Sequence, residues 1–215
     1  MKAIFDDILQ KFFPSPRLEA LRELALYNRW SFVRRTGLDL APHTFKRLPL
    51  FRGQGDKRLV GVLEVQSEIV EGRFRMYDYL YFGSHGRKAT TVLEYHSTNL
   101  NLSPFQIRPK GAFDSVKAFF RLTEALFGTA TLFNQHYQLS AEDVEATKID
   151  LNEAFLDQIG EEEGWMFEGN DDYLIMYRQG KKLEVSDLKW LLEHFERICE
   201  RLRNGISTNE FVWEY

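Results

Sequence analysis

The chain has 215 residues, 44% of them hydrophobic and 28% charged, so it can bury a sizeable core as one large domain or two small ones. Its net charge of −4 argues against a dedicated nucleic-acid-binding protein, which usually carries a basic domain or stripe. The single cysteine, Cys199, excludes an intramolecular disulfide, and no apolar run approaches the length of a membrane span.

The start of the chain is predicted to be helical. Ile4, Phe5, Ile8 and Phe12 recur at helical spacing. A second helix is expected after Pro14, with Ser15 as its N-cap and Pro16 in its first turn. Two acids interrupt the apolar residues at the N-terminus, so no signal peptide is predicted and we expect a cytoplasmic protein without a membrane span.

The middle of the chain is dominated by predicted strands. Residues 73–82 alternate strictly: Phe74, Met76, Leu80 and Phe82 would face one side, and Tyr77, Tyr79 and Tyr81 the other. A turn through Ser84 and His85 leads to a strand over 90–96. Further strands are expected at 30–33, 48–51, 59–70 and 105–108.

The last third alternates short elements with helices. A helix capped by Asp114 or Ser115 ends at Gly128, and a strand is expected over 131–138. Residues 140–143 resemble a capping box, and residues 150–153 match that pattern better and should open a helix to Ile159. A hairpin follows over 165–178, and an amphipathic helix begins after Ser186.

This order of elements predicts an α+β fold, with a mainly antiparallel sheet, packed helices and a long C-terminal amphipathic helix. We expect a single domain over residues 1–215, with a C-terminal subdomain over 139–215 as the alternative. The tyrosines of the 73–82 strand are expected to be covered by a helix, for which the one after Ser186 is the first candidate.

Asp78 is the residue of greatest functional interest, because it stands in the apolar row of the 73–82 strand. A buried carboxylate is costly unless it is paired or hydrogen-bonded. One interpretation is an acid or base in a pocket, near Tyr79, His85 or His96. The other is a structural pair with an arginine, or a strand twist that brings Asp78 to the surface.

No motif predicts a cofactor or a metal. The turn at Ser84 and His85 lacks the spacing of a nucleophile elbow, and glycines in a hairpin explain it. The histidines do not form a metal-binding spacing, although His96 and His136 could meet across strands.

Charges are segregated along the chain, with cations in the first third and acids in the last. Such segregation orients a partner in some proteins and is solvated surface in most. Nucleic-acid binding would require the cations to share one face, and no nucleic-acid partner is expected. The cations are Arg34, Arg35, Lys46, Arg47, Arg52, Lys57 and Arg58.

The C-terminal segment is unusually aromatic for the end of a soluble chain, with Phe211, Trp213 and Tyr215. It could add a strand to its own sheet or to that of a neighbour. We therefore predict a protein partner or self-association through these residues.

The chain resembles a loose group of uncharacterised bacterial proteins, a domain of unknown function, over about residues 60–200. The resemblance rests on the strand Tyr77-Asp78-Tyr79-Leu80-Tyr81, the strand at 91–94 and the segments 133–137 and 165–167. Many members look membrane-associated. The resemblance implies no activity, ligand or catalytic residue. The sequence favours a non-enzymatic protein-binding or scaffold domain of the bacterial cytoplasm, and the alternative is a small-ligand-binding protein or enzyme with Asp78 in a pocket.

Overall fold

The computed structural model describes residues 15–38, 41–52, 57–83, 86–111 and 131–210. Within them, eight strands form one antiparallel sheet in the order β1-β2-β3-β4-β8-β7-β5-β6. With its helices, this sheet confirms the predicted α+β class. The strands are β1 (Ser31–Gly37), β2 (Arg58–Gln66), β3 (Arg73–Gly83), β4 (Gly86–His96), β5 (Leu102–Pro109), β6 (Tyr137–Ala141), β7 (Met166–Asp171) and β8 (Tyr173–Tyr177).

The helices lie before, between and after the strands. They are α1 (Pro16–Asn28), α2 (His43–Lys46), α3 (Thr131–His136), α4 (Val144–Asp150), α5 (Glu153–Gly160) and α6 (Leu188–Glu210), with single 3-10 turns at Pro49–Phe51 and Val185–Asp187. The structure confirms the predicted helix at Pro16, the one that ends near Ile159 and the long one after Ser186. No helix of the described ranges is both long and apolar enough to cross a membrane.

One face of the sheet is an apolar surface covered by helices. The strand register aligns apolar residues across all eight strands, because residues that pair directly across strands share a face. Phe74 stacks on Tyr95 and contacts Phe195 of α6 edge-on, so the long helix lies on this face. The aligned residues are Phe32, Leu63, Met76, Leu93, Met176, Phe167, Ile107 and Leu139.

The other face is covered by the segment 41–52, and this corrects one prediction. Tyr77 and Tyr79 are buried, but α6 does not cover them. The ring of Phe51 packs edge-on against Tyr79 at 4.9 Å between centroids, and Phe45 packs against Tyr173. Sequence periodicity identifies an apolar face but not the element that covers it.

Three local predictions are wrong. Residues 49–51 form a 3-10 turn instead of a strand, because Pro49 has no N–H to give to a sheet. Residues 131–136 are helical, and the strand begins only at Tyr137. The helix expected at the 140–143 pattern begins at Val144, where the Asp143 carboxylate accepts a hydrogen bond from Ala146 N. The helices predicted over 4–12 and 114–128 lie outside the described residues.

Candidate functional site

Asp78 is buried and bonded at both oxygens. Its side chain is only 7% exposed. Oδ2 accepts a hydrogen bond from Arg17 Nε at 2.7 Å, and Oδ1 accepts from Arg17 Nη2 at 2.9 Å and from Thr91 Oγ1 at 2.7 Å. A two-point bond between guanidinium and carboxylate is the strong form of ion pair. The structure therefore supplies the arginine pair that the sequence analysis named as one interpretation.

The same network holds the chain segment after β8 against the sheet. Arg17 Nη1 donates to the carbonyl of Leu183 at 2.7 Å, and Leu183 N donates to Thr91 Oγ1 at 3.0 Å. Gly180 N donates to Thr90 Oγ1, and Thr91 N donates to the carbonyl of Lys181. These bonds fix the 180–183 segment beside the start of α1.

Asp78 also lines an open cleft of about 380 Å³ at the start of α1. We name this cleft the basic cleft, because six of the described residues that line it are cationic and Asp78 is the one carboxylate among them. Leu18, Val60, Leu80 and Ala89 give it apolar walls, and Ser15 lies at its rim. The cations are Arg17, Arg34, Arg35, Arg58, Lys88 and Lys182.

The cations meet because of the strand register. Arg35 pairs with Val60, and Val60 pairs in turn with Asp78. Arg58 pairs with Leu80 one step further along β3. β1 and β2 therefore direct long basic side chains to the same end of the sheet, where β4 adds Lys88, α1 adds Arg17 and the 180–183 segment adds Lys182.

The electrostatic character of the basic cleft is opposite to that of the whole chain, whose net charge is −4. Asp78, the one negative charge among the described lining residues, is already bonded to Arg17 and Thr91. A concave surface with low-dielectric walls and one sign of charge concentrates counter-ions. The arrangement is suited to holding an anion.

The structure separates the residues that the sequence analysis placed near Asp78. Tyr79 lies on the opposite face of the sheet, because successive residues of a strand point to opposite sides. Burial raises the pKa of Tyr79. His85, Phe211, Trp213 and Tyr215 lie outside the described residues.

His96 also lies on the opposite face, where its ring packs against Tyr173 at 4.7 Å between centroids. Burial, with a smaller effect from Arg73, lowers its pKa. His96 therefore does not share a site with Asp78. Within the described ranges, no group of three or more histidine, cysteine or carboxylate side chains is placed to hold a metal ion.

Sequence reasoning missed Arg17, Lys88 and Lys182 as site residues. The sequence places Arg34, Arg35 and Arg58 only in a basic segment and does not assign them to a site. Arg17 is 61 residues away from Asp78 in the chain, and no spacing rule links them. An unpaired carboxylate in an apolar strand was the available signal that an arginine elsewhere must meet it.

The geometry thus defines an α+β protein with a basic cleft at one end of an antiparallel sheet. No protein-family model matches the chain, and no curated protein matches it in sequence. Among solved structures, it is similar to the crystal structure of the mycobacterial trehalose monomycolate transport factor A, TtfA. The TM-score is 0.61 at 10% sequence identity, over 89% of this chain and 97% of that chain. At this identity the likeness shows the fold alone.

Proposed function

We propose that this protein works by binding rather than by catalysis, and that the basic cleft receives an anionic group of a small ligand, such as a phosphate or a carboxylate. The observation that carries the proposal is the convergence of six cations on one concave surface of about 380 Å³. This volume lies in the usual range of small-molecule sites.

The bonding of Asp78 favours binding over acid–base chemistry. A general base must have a lone pair within reach of the substrate proton. Both Asp78 oxygens already accept hydrogen bonds from Arg17, and one also accepts from Thr91. Asp78 would have to break a buried ion pair before it could take a proton, which supports a positioning role for it.

The distribution of cations favours a small anion over nucleic acid. Arg34, Arg35 and Arg58 line the basic cleft, but Arg47 and Arg52 belong to the segment that covers the opposite face. Nucleic-acid binding proteins usually present a continuous basic stripe that follows the phosphate backbone. Here the cations surround a cavity instead.

The test is calorimetric titration of the full chain with pyrophosphate. We expect saturable binding that weakens as NaCl is raised, because salt screens exposed charges. Replacing Arg35 and Lys88 together by glutamine should weaken binding about tenfold or more. The matched control replaces Arg22 and Lys189, which lie outside the cleft, and should bind as the wild type does. Equal weakening in both variants would show non-specific attraction and contradict the proposal.

A second candidate function is self-association or a protein contact at the open side of β1, in line with the scaffold hypothesis from the sequence. β1 is an edge strand, pairs with β2 alone among the described strands, and exposes half of Val33. Exposed edges of this kind readily add a further strand. As part of this proposal, the protein is bacterial, works in the cytoplasm and is related to the uncharacterised bacterial group.

Sedimentation velocity over a range of protein concentrations tests the contact. We expect the wild type to associate and Val33→Lys to remain monomeric, since lysine on an edge strand opposes pairing. Deleting 209–215 is expected to weaken the contact if the aromatic segment contributes. A wild type that stays monomeric at all concentrations would leave the basic cleft as the one supported function.

A further inference from the structure

The apolar face of the sheet continues past its covered part into the basic cleft. In β3, Phe74 and Met76 belong to the covered core and are at most 1% exposed. Leu80 lies on the same face, because alternate residues of a strand share a face. Leu80 is only partly buried, however, and lines the basic cleft. Apolar surface of the sheet is therefore left partly open to solvent at this end.

The strand register places further aliphatic side chains around Leu80. Ala89 of β4 pairs directly with Leu80, and Val60 of β2 lies diagonally across from it. Direct and diagonal neighbours on one face of a sheet are close enough for their side chains to interact. Leu18 of α1 adds a wall above the sheet. All four side chains are partly exposed, so together they present an aliphatic surface to the basic cleft.

Cations stand directly beside this aliphatic surface. Arg58 pairs with Leu80 on the β2 side, and Arg35 pairs with Val60. Lys88 is exposed and precedes Ala89 in β4. A ligand that is complementary to the whole basic cleft therefore needs an anionic group and an apolar part next to each other.

The residue types of the wall favour a hydrocarbon chain over a flat ring. The apolar side chains are aliphatic, and no aromatic residue is among the described residues that line the basic cleft. Nucleotide bases and other flat ligands are usually held by stacking on aromatic side chains. An alkyl chain needs only apolar contact, which has no directional requirement.

The balance of charge favours a head group that carries more than one negative charge. Six cations line the basic cleft against one carboxylate, and that carboxylate is already bonded to Arg17. A phosphate monoester carries a charge between about −1.5 and −2 at neutral pH. Such a group matches an excess of cations better than a carboxylate does.

We propose that the ligand of the basic cleft is a single-chain amphiphile with a phosphate head, an alkyl phosphate in the simplest form. The phosphate lies against Arg35, Arg58 and Lys88, and the alkyl chain covers Leu80 and the aliphatic side chains around it. A cleft of about 380 Å³ accommodates one such molecule, which is why the proposal names a single chain and not a bilayer surface. This inference rests on the proposed function, because it names the class of anion that the basic cleft binds.

The test is calorimetric titration of the full chain with alkyl phosphates from ethyl to octyl, each below the concentration at which it forms micelles. We expect saturable binding that tightens along the series. Octyl phosphate should bind at least about tenfold more tightly than ethyl phosphate, because each buried CH₂ group adds to the affinity. Octyl glucoside carries the same chain without a charge and should bind at least about tenfold more weakly than octyl phosphate.

Two kinds of variant separate the alkyl chain from the head group. Leu80→Gln should weaken octyl phosphate binding about tenfold and ethyl phosphate binding by a much smaller factor, whereas replacing Arg35 and Lys88 together by glutamine should weaken both. Val60→Thr has nearly the shape of valine and tests the same surface if Leu80→Gln fails to fold. The matched control is Ile69→Ser, at an exposed apolar position outside the basic cleft, which should bind both phosphates as the wild type does.

The outcomes distinguish this inference from the proposed function. Equal affinity for ethyl and octyl phosphate, with both weakened in the Arg35 and Lys88 variant, would overturn the amphiphile and leave the small anion standing. Octyl phosphate binding that this variant does not change, or that octyl glucoside equals, would contradict both proposals, because the cations would then contribute nothing. Binding to vesicles of anionic phospholipid without binding to soluble octyl phosphate would indicate a membrane surface and would also overturn the inference.

Discussion

Gly61 of β2 is in direct contact with Leu21 of α1: a Cβ at Gly61 would lie 2.5 Å from Leu21 Cδ1. Gly61 also has a φ of +64° at a bulge, where the pairing of β2 with β3 shifts register. A glycine is needed for both reasons, because it tolerates positive φ and leaves room for the helix. This contact seats α1, which carries Arg17, against the strand next to Asp78.

The first prediction follows from that contact. Gly61→Ala should lower the free energy of unfolding by about 2 kcal/mol or more, from backbone strain and a clash with Leu21. Urea denaturation followed by circular dichroism measures the change. Gly164→Ala is the matched control, since Gly164 has a φ of +74° but open space around its Cα. If both variants lose the same stability, the contact with Leu21 has no energetic weight.

The second prediction concerns the buried ion pair. Asp78→Asn should destabilise the protein by about 3 kcal/mol, because Arg17 is then left partly buried without its counter-charge. The same chemical change at Glu145, whose exposed side chain pairs with Lys148 at 3.0 Å, should cost less than about 1 kcal/mol. A double-mutant cycle with Arg17→Gln isolates the pair. A coupling near zero would contradict a stabilising role for it.

The third prediction is a pH dependence caused by Glu94. Burial raises the pKa of Glu94 above its ordinary value of 4.5, and the nearby Arg75, a hydrogen bond with Tyr77 and the nearby Arg73 offset this effect only in part. A raised pKa means that the folded state holds the proton more tightly, so the carboxyl stabilises the fold below pH 4.5 and this stabilisation is lost as pH rises through the folded pKa. Glutamine does not titrate.

The free energy of unfolding of Glu94→Gln should therefore increase relative to that of the wild type between pH 4.5 and neutrality. Urea titrations of both proteins at several pH values in this window measure the difference. The control is Glu145→Gln, at an exposed site. A difference between Glu94→Gln and wild type that does not change with pH would show that the carboxyl titrates alike in both states.

The fourth prediction concerns Cys199, the one thiol of the chain. It is fully buried in α6, and burial raises its pKa well above the ordinary value. Since the thiolate is the reactive form, a thiol reagent such as DTNB should label the native protein far more slowly than the unfolded protein. Release of the coloured product at equal rates with and without guanidinium would contradict the buried position.

Elements whose signals are local can be predicted from the amino-acid sequence. Three such signals depend only on neighbouring residues: the alternation in β3, the helix start at Ser15 and Pro16, and the apolar stripe after Ser186. The structure contains the strand and both helices that they predict. Local signals failed at Thr131–His136, where helix and strand adjoin. A short run of apolar residues fits both periods, so position in the fold decides.

The partner of Asp78 and the segment that covers the tyrosines could not be predicted, because both depend on tertiary packing. The sequence indicated that Asp78 needs a partner, but Arg17, Thr91 and Leu183 come together only when α1, β4 and the segment after β8 pack at one end of the sheet. The basic cleft depends in the same way on strand register. The alternation of side chains between the two faces is a property of each strand, whereas strand register and helix packing are set by contacts between residues far apart in the chain.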